Sequence, residues 1–126
     1  MANYIDWNPI KDDYEELFFL KLEYEYNYLI VSLKELAGNQ RVLQIKFSGV
    51  MGYRVFQEGS RQKTINENLT YRGFKMTTDS EFINWFKEES YGIFDDWDLK
   101  HYIITNINNV IDVICGTNIE LKWINE

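Results

Sequence analysis

The sequence predicts an α+β domain: a curled antiparallel sheet of six or seven strands with one main helix packed on one face. Two observations carry this reading. Apolar and polar residues alternate with period two along most of the chain, as in Val42–Ser48, where Leu43, Ile45 and Phe47 alternate with Gln44, Lys46 and Ser48. Only residues 78–90 combine a helical period with capping signals, and a βαβ fold needs more helices than that. At 126 residues and 45% hydrophobic, the chain is long and apolar enough for one domain, 1–126, with a core that needs no staples.

Residues 1–16 form an irregular lead-in, pinned to the body by Tyr4, Ile5 and Trp7. From Leu17 to Lys34 the tract is β-prone, with Leu20, Leu22, Tyr24, Tyr26 and Tyr28 on one face. Past Asn27 the alternation changes phase, so two strands are expected rather than one. Ala37-Gly-Asn39 turns the chain into the Val42 strand. Gly49 and Gly52 then bend or bulge it before Tyr53–Glu58, because glycine alone takes positive φ without strain.

Residues 59–69 are polar and read as an exposed loop, and residues 71–77 as one short strand. In the helix, Thr78, Asp79 and Ser80 offer N-cap oxygens. Phe82, Ile83, Trp85 and Phe86 form its apolar face, and Gly92 ends it. Residues 99–105, 110–115 and 119–124, separated by turn compositions, predict a three-stranded meander.

Twenty acidic against thirteen basic residues give a formal charge of -7. Such a surface repels phosphate backbones and anionic membranes, so neither nucleic acid nor membrane is expected, and a basic protein suits it better. The N-terminus lacks the basic and apolar regions of a signal peptide, and no apolar run approaches the roughly 20 residues of a spanning helix. The single cysteine, Cys115, excludes an internal disulfide and reads as a small buried hydrophobe. A cytoplasmic protein is the expectation.

No catalytic residue, metal ligand set or cofactor motif emerges. His101 is the only histidine and lies in a strand pattern, where a hydrogen-bonded sheet position is the ordinary explanation. Arg54, Glu58 and Arg61 lie close in sequence; either they form a charged patch that recognises a ligand, or, the plainer reading, Arg54 and Glu58 belong to a surface ion pair. The unusual cluster is Glu88, Glu89, Asp95, Asp96 and Asp98, five carboxylates within eleven positions, with Phe94 and Trp97 among them. Either it is a solvated loop with an aromatic tucked into the core, or it docks a basic protein. In the second case Trp97 is the anchor and the charges speed encounter. The spacing lacks the glycine and alternating ligands of a calcium loop.

The segments Phe47–Gly59, Trp85–Ser90, His101–Thr105 and Ile111–Val113 resemble those of small bacterial proteins similar in size and charge to the immunity proteins of polymorphic-toxin systems. The resemblance covers most of the chain after residue 17. It implies a non-enzymatic, single-domain inhibitor that binds a basic toxin domain, and it carries no residue roles. The alternative is a small enzyme or ligand-binding domain whose pocket, inside the curled sheet, would be lined by Tyr24, Tyr26, Tyr53 and His101. A third reading is a subunit that self-associates through an edge strand.

Overall fold

The structure, a computed structural model, describes residues 4–7, 10, 16–67, 73–106, 108–116 and 118–124. Its strands are β1 (Ile5–Asp6), β2 (Leu17–Glu25), β3 (Tyr28–Glu35), β4 (Val42–Ser48), β5 (Val50–Gln57), β6 (Phe74–Thr77), β7 (Lys100–Asn106), β8 (Asn109–Cys115) and β9 (Ile119–Ile124). A 3₁₀ turn, Glu58–Arg61, runs into helix α1 (Gln62–Glu67), and helix α2 spans Glu81–Glu89.

The class is α+β and the strands are antiparallel, but the expected single curled sheet is corrected. The described strands form two sheets, ordered β1-β6-β7-β8-β5 and β2-β3-β4-β9. Their inner faces share one core, in which Leu29, Val31, Ile45 and Phe47 of one sheet meet Tyr102, Ile104, Ile111 and Val113 of the other. Both helical segments pack outside this sandwich, on the outer face of the five-stranded sheet. Ile65 joins Ile103 and Val110 there, and Phe82 and Ile83 join Leu99 and Ile114. β8 is therefore apolar on both faces apart from Asp112, and buried along nearly its whole length.

The chain crosses between sheets at Gly49, whose φ of 64° is a conformation glycine adopts without strain. β4 lies inside one sheet and β5 at the edge of the other. The phase change near Asn27 is a two-residue turn in which Tyr26 and Asn27 take φ of 33° and 69°. A second irregularity, between Phe19 and Lys21, leaves Leu20 exposed rather than inward. The hairpin joining β3 to β4 is clasped by Glu35. Its buried carboxylate accepts from the Arg41 backbone N–H and Nε, both at 2.9 Å, while the guanidinium lies 4.1 Å from the Trp123 ring centroid.

Three further expectations are corrected. β9 does not complete a meander with β7 and β8; it pairs with β4 in the other sheet, with Leu121 opposite Ile45. Its alternation specifies a buried face, which either sheet can supply, so the pattern does not name the partner strand. Residues 58–67 are helical rather than an exposed loop, because Arg61 and Ile65, four apart, both face the protein. There is accordingly no single main helix. In the lead-in, Trp7 enters the core against Phe47, Phe74 and Tyr102, and Ile5 is exposed on β1, an edge strand paired with β6. Among the described residues no helix is long and apolar enough to cross a membrane.

Candidate functional site

The outer face of the five-stranded sheet gathers the unusual residues, and α2 positions them. Ser80 caps the helix, its Oγ accepting from the Ile83 N–H at 3.2 Å. The other end stops where Tyr91 and Gly92 turn to φ of 54° and 75°, with the Gly92 N–H bonding to Lys87 O at 3.1 Å. The loop that follows is a chain of short turns, Asp95 N–H to Gly92 O at 3.2 Å and Trp97 N–H to Phe94 O at 3.0 Å. Phe94 pins it, half-buried with its ring 5.3 Å from that of Phe86.

Of the two aromatics offered for the core, Phe94 is therefore the one taken. Trp97 stands edge-on against it, 4.8 Å between centroids at 88°, and remains 53% exposed. Glu88, Glu89, Asp95, Asp96 and Asp98 are all exposed, and none makes an ion pair with a described residue. Trp85, expected on the buried face of the helix, is instead 57% exposed, because Phe82, Ile83 and Phe86 suffice to cover Leu99 and Ile114. Tyr91 and Ile93 are exposed as well. The helix and loop thus present aromatic and acidic groups together.

Beneath α2 lies a polar network centred on Asp112, which is fully buried. One carboxylate oxygen accepts from Arg54 Nε at 3.0 Å and Arg61 Nη1 at 2.5 Å; the other accepts from His101 Nε2 at 2.6 Å. A carboxylate only accepts, so Nε2 carries the proton. The far ring nitrogen, Nδ1, lies 2.8 Å from the Ser80 Oγ, and the Ser80 hydroxyl donates to it when the ring is neutral. Burial pushes the Asp112 carboxyl up, but the His101 hydrogen bond, then the charges of His101, Arg54 and Arg61, hold it well below the usual carboxylate range. Tyr4, edge-on to the His101 ring at 6.3 Å, has its hydroxyl pushed up by burial and by the nearby Asp112 charge.

The ion pair expected between Arg54 and Glu58 is corrected: Arg54 crosses to Asp112 on the neighbouring strand, and Arg61 joins it in the interior. Sequence reading missed Asp112. The legible signal is a lone carboxylate inside an otherwise apolar strand, Val110–Cys115, which burial permits only with cations supplied from elsewhere. Ser80, His101 and Asp112 superficially resemble a nucleophilic triad. Here the Ser80 Oγ also accepts as a helix cap and both Ser80 and His101 are buried, so the chain ties the helix cap to the sheet. Ser80→Ala should cost about 1–2 kcal/mol in a urea melt, since it removes the cap and orphans His101 Nδ1 together.

Between α2 and β5 an open groove of about 770 Å³ exposes Arg54 beside Phe56, Phe82 and Trp85. Tyr24, Tyr26, Tyr53 and His101 do not line one pocket. Tyr24 and Tyr53 touch at the rim of the sandwich, 5.2 Å between centroids, Tyr26 projects from the turn, and His101 faces the opposite side of its sheet. Among the described residues no three His, Cys, Asp or Glu side chains are grouped to hold a metal ion. No protein-family model matches the chain, and comparison with curated proteins and with solved structures finds no match.

Proposed function

We propose that this chain is a non-enzymatic binding domain that docks a basic protein on the surface formed by Glu88, Glu89, Asp95, Asp96, Trp97 and Asp98. The role is that of an immunity protein neutralising a toxin domain in the cytoplasm. The observation that carries the reading is Trp97: half-exposed, braced edge-on by a half-buried Phe94, and ringed by carboxylates without cationic partners among the described residues. A braced indole supplies large apolar area at little entropic cost on binding, which is how interface anchors work. Like charges held together repel, and a basic partner turns that repulsion into attraction and faster encounter.

Gene context supplies the first test. A large secreted toxin encoded immediately upstream fits the reading, and a neighbourhood of metabolic enzymes opposes it. With that toxin domain as ligand, replacing Asp95, Asp96 and Asp98 together by Asn should slow association at least about tenfold at low ionic strength. The effect should shrink as salt rises toward 1 M, where screening reaches about 3 Å. Trp97→Ala should act on dissociation instead. An unchanged on-rate for the triple variant at low salt refutes the acidic docking surface.

A further inference from the structure

We infer that the free edge of β5 is a second recognition site, which takes an extended segment of a protein as an added antiparallel strand with an acidic residue opposite Arg54 and bulky apolar residues two positions to either side. The backbone of β5 is the starting point. The Glu58 N–H bonds to Asn108 O at 2.8 Å, and Gln57 stands opposite Asn109. Hydrogen-bonded pairs alternate along an antiparallel ladder, so Phe56, Arg54 and Gly52 bond to β8 while Val55 and Tyr53 turn N–H and C=O outward. Those outward groups have no backbone partner among the described residues. An edge of this kind is a template for strand addition.

Side chains then set the specificity. Arg54 points to the outer face and is held at Nε by Asp112 and across the flat face of its guanidinium by the Phe82 ring, whose centroid lies 4.1 Å from Cζ. Its terminal nitrogens bond to no described residue, and the side chain is 35% exposed in the groove. A pre-set fork of this kind matches a carboxylate. Arg54 bonds to β8, so the residue across from it on an added strand is a non-hydrogen-bonded neighbour, the pair in which side chains come closest. Two residues away, Gly52 leaves open space: no atom lies within 4 Å of where a Cβ would stand. That hollow, walled by Met51, Phe86 and Ile114, accepts a large apolar side chain. At the other end Phe56, itself exposed, offers an apolar cross-strand partner. A second copy of this chain is a poorer occupant, because each copy brings a charge of -7.

The test uses the intact protein and a nine-residue peptide of threonines with Glu at the centre, Phe two residues after it and Leu two residues before. In an amide-resolved NMR titration the Tyr53 and Val55 amides should shift, and their hydrogen exchange should slow at least about tenfold. Replacing the peptide's Glu with Gln should weaken binding about tenfold, the loss of a charged hydrogen-bond partner. N-methylating the two residues that flank the Glu should abolish binding, since their N–H groups face β5, whereas N-methylating the Glu itself changes it little. The proposal is overturned by equal binding of the flank-methylated peptide, by shifts confined to residues 88–98, or by no shift at millimolar peptide. Protection of Tyr53 and Val55 that rises with protein concentration alone also overturns it, in favour of a second copy. Glu81 and Glu89 also line the groove, and Glu89 is shared with the acidic surface. The β5 backbone and the side chains of Asp95, Asp96, Trp97 and Asp98 are probed by different variants, so either reading can fail without the other.

Discussion

Asp112→Ala should lower the stability of the domain by about 3–5 kcal/mol, the cost of removing one side of a buried charge network. The carboxylate holds Arg54, Arg61 and His101 at once, and Arg61 and His101 are themselves buried. Without it the two guanidinium groups face each other across an apolar sheet face, and the His101 Nε2–H has no acceptor. The Arg61 contact also ties the 3₁₀ turn to the sheet, so α1 should lose amide protection before the strands do. Asp112→Asn should cost less, because the amide oxygen can still accept while the charge is gone.

The pH dependence has a definite sign. The folded carboxyl titrates below its ordinary value of 3.8, so its stabilisation is fully present above that value and is lost as pH falls toward the folded one. Wild-type and Asp112→Asn proteins should therefore differ by a constant amount between pH 7 and about 5 and converge in more acidic solution. A gap that instead widens as the pH falls below 4 is incompatible with an ionised, paired Asp112.

Phe47→Ala should cost about 3–5 kcal/mol, lowering Tm by roughly 10–20 °C. Phe47 is fully buried at the centre of the sandwich, its ring 5.7 Å from Tyr102 of the opposite sheet and 6.1 Å from Trp7 of the lead-in. Three elements distant in sequence meet on it, so truncation leaves a cavity that no single neighbour can fill. Leu36→Ala, at an exposed turn position, should stay within about 0.5 kcal/mol. Similar small losses at both positions in matched denaturant melts would show that the two sheets do not pack face to face.

Local pattern determined much of this molecule. The alternation of Leu43, Ile45 and Phe47, the phase change at Asn27 and the Gly92 stop each depend on neighbours within a few residues and appear in the structure where the chain alone places them, while of Thr78, Asp79 and Ser80 it is Ser80 that caps the helix. Period-two alternation reports that one face is buried and nothing about which strand lies alongside. That is why one curled sheet was the natural expectation, and why the division into two sheets and the pairing of β9 with β4 were decided only by tertiary packing.

The surfaces proposed for binding divide the same way. The carboxylates from Glu88 to Asp98 are adjacent in sequence, so their clustering is legible, whereas the exposure of Trp97 depends on Phe94 having filled the space against Phe86. The Asp112 network joins β8 to Arg54 of β5, Arg61 of the 3₁₀ turn, Ser80 at the cap of α2 and His101 of β7. Coulomb attraction between groups up to 58 residues apart leaves no periodic trace in the chain. Only the packing of α2 and the 3₁₀ turn onto β8 brings them within hydrogen-bonding distance and leaves the Arg54 side chain in the groove beside β5, an edge strand among the described residues.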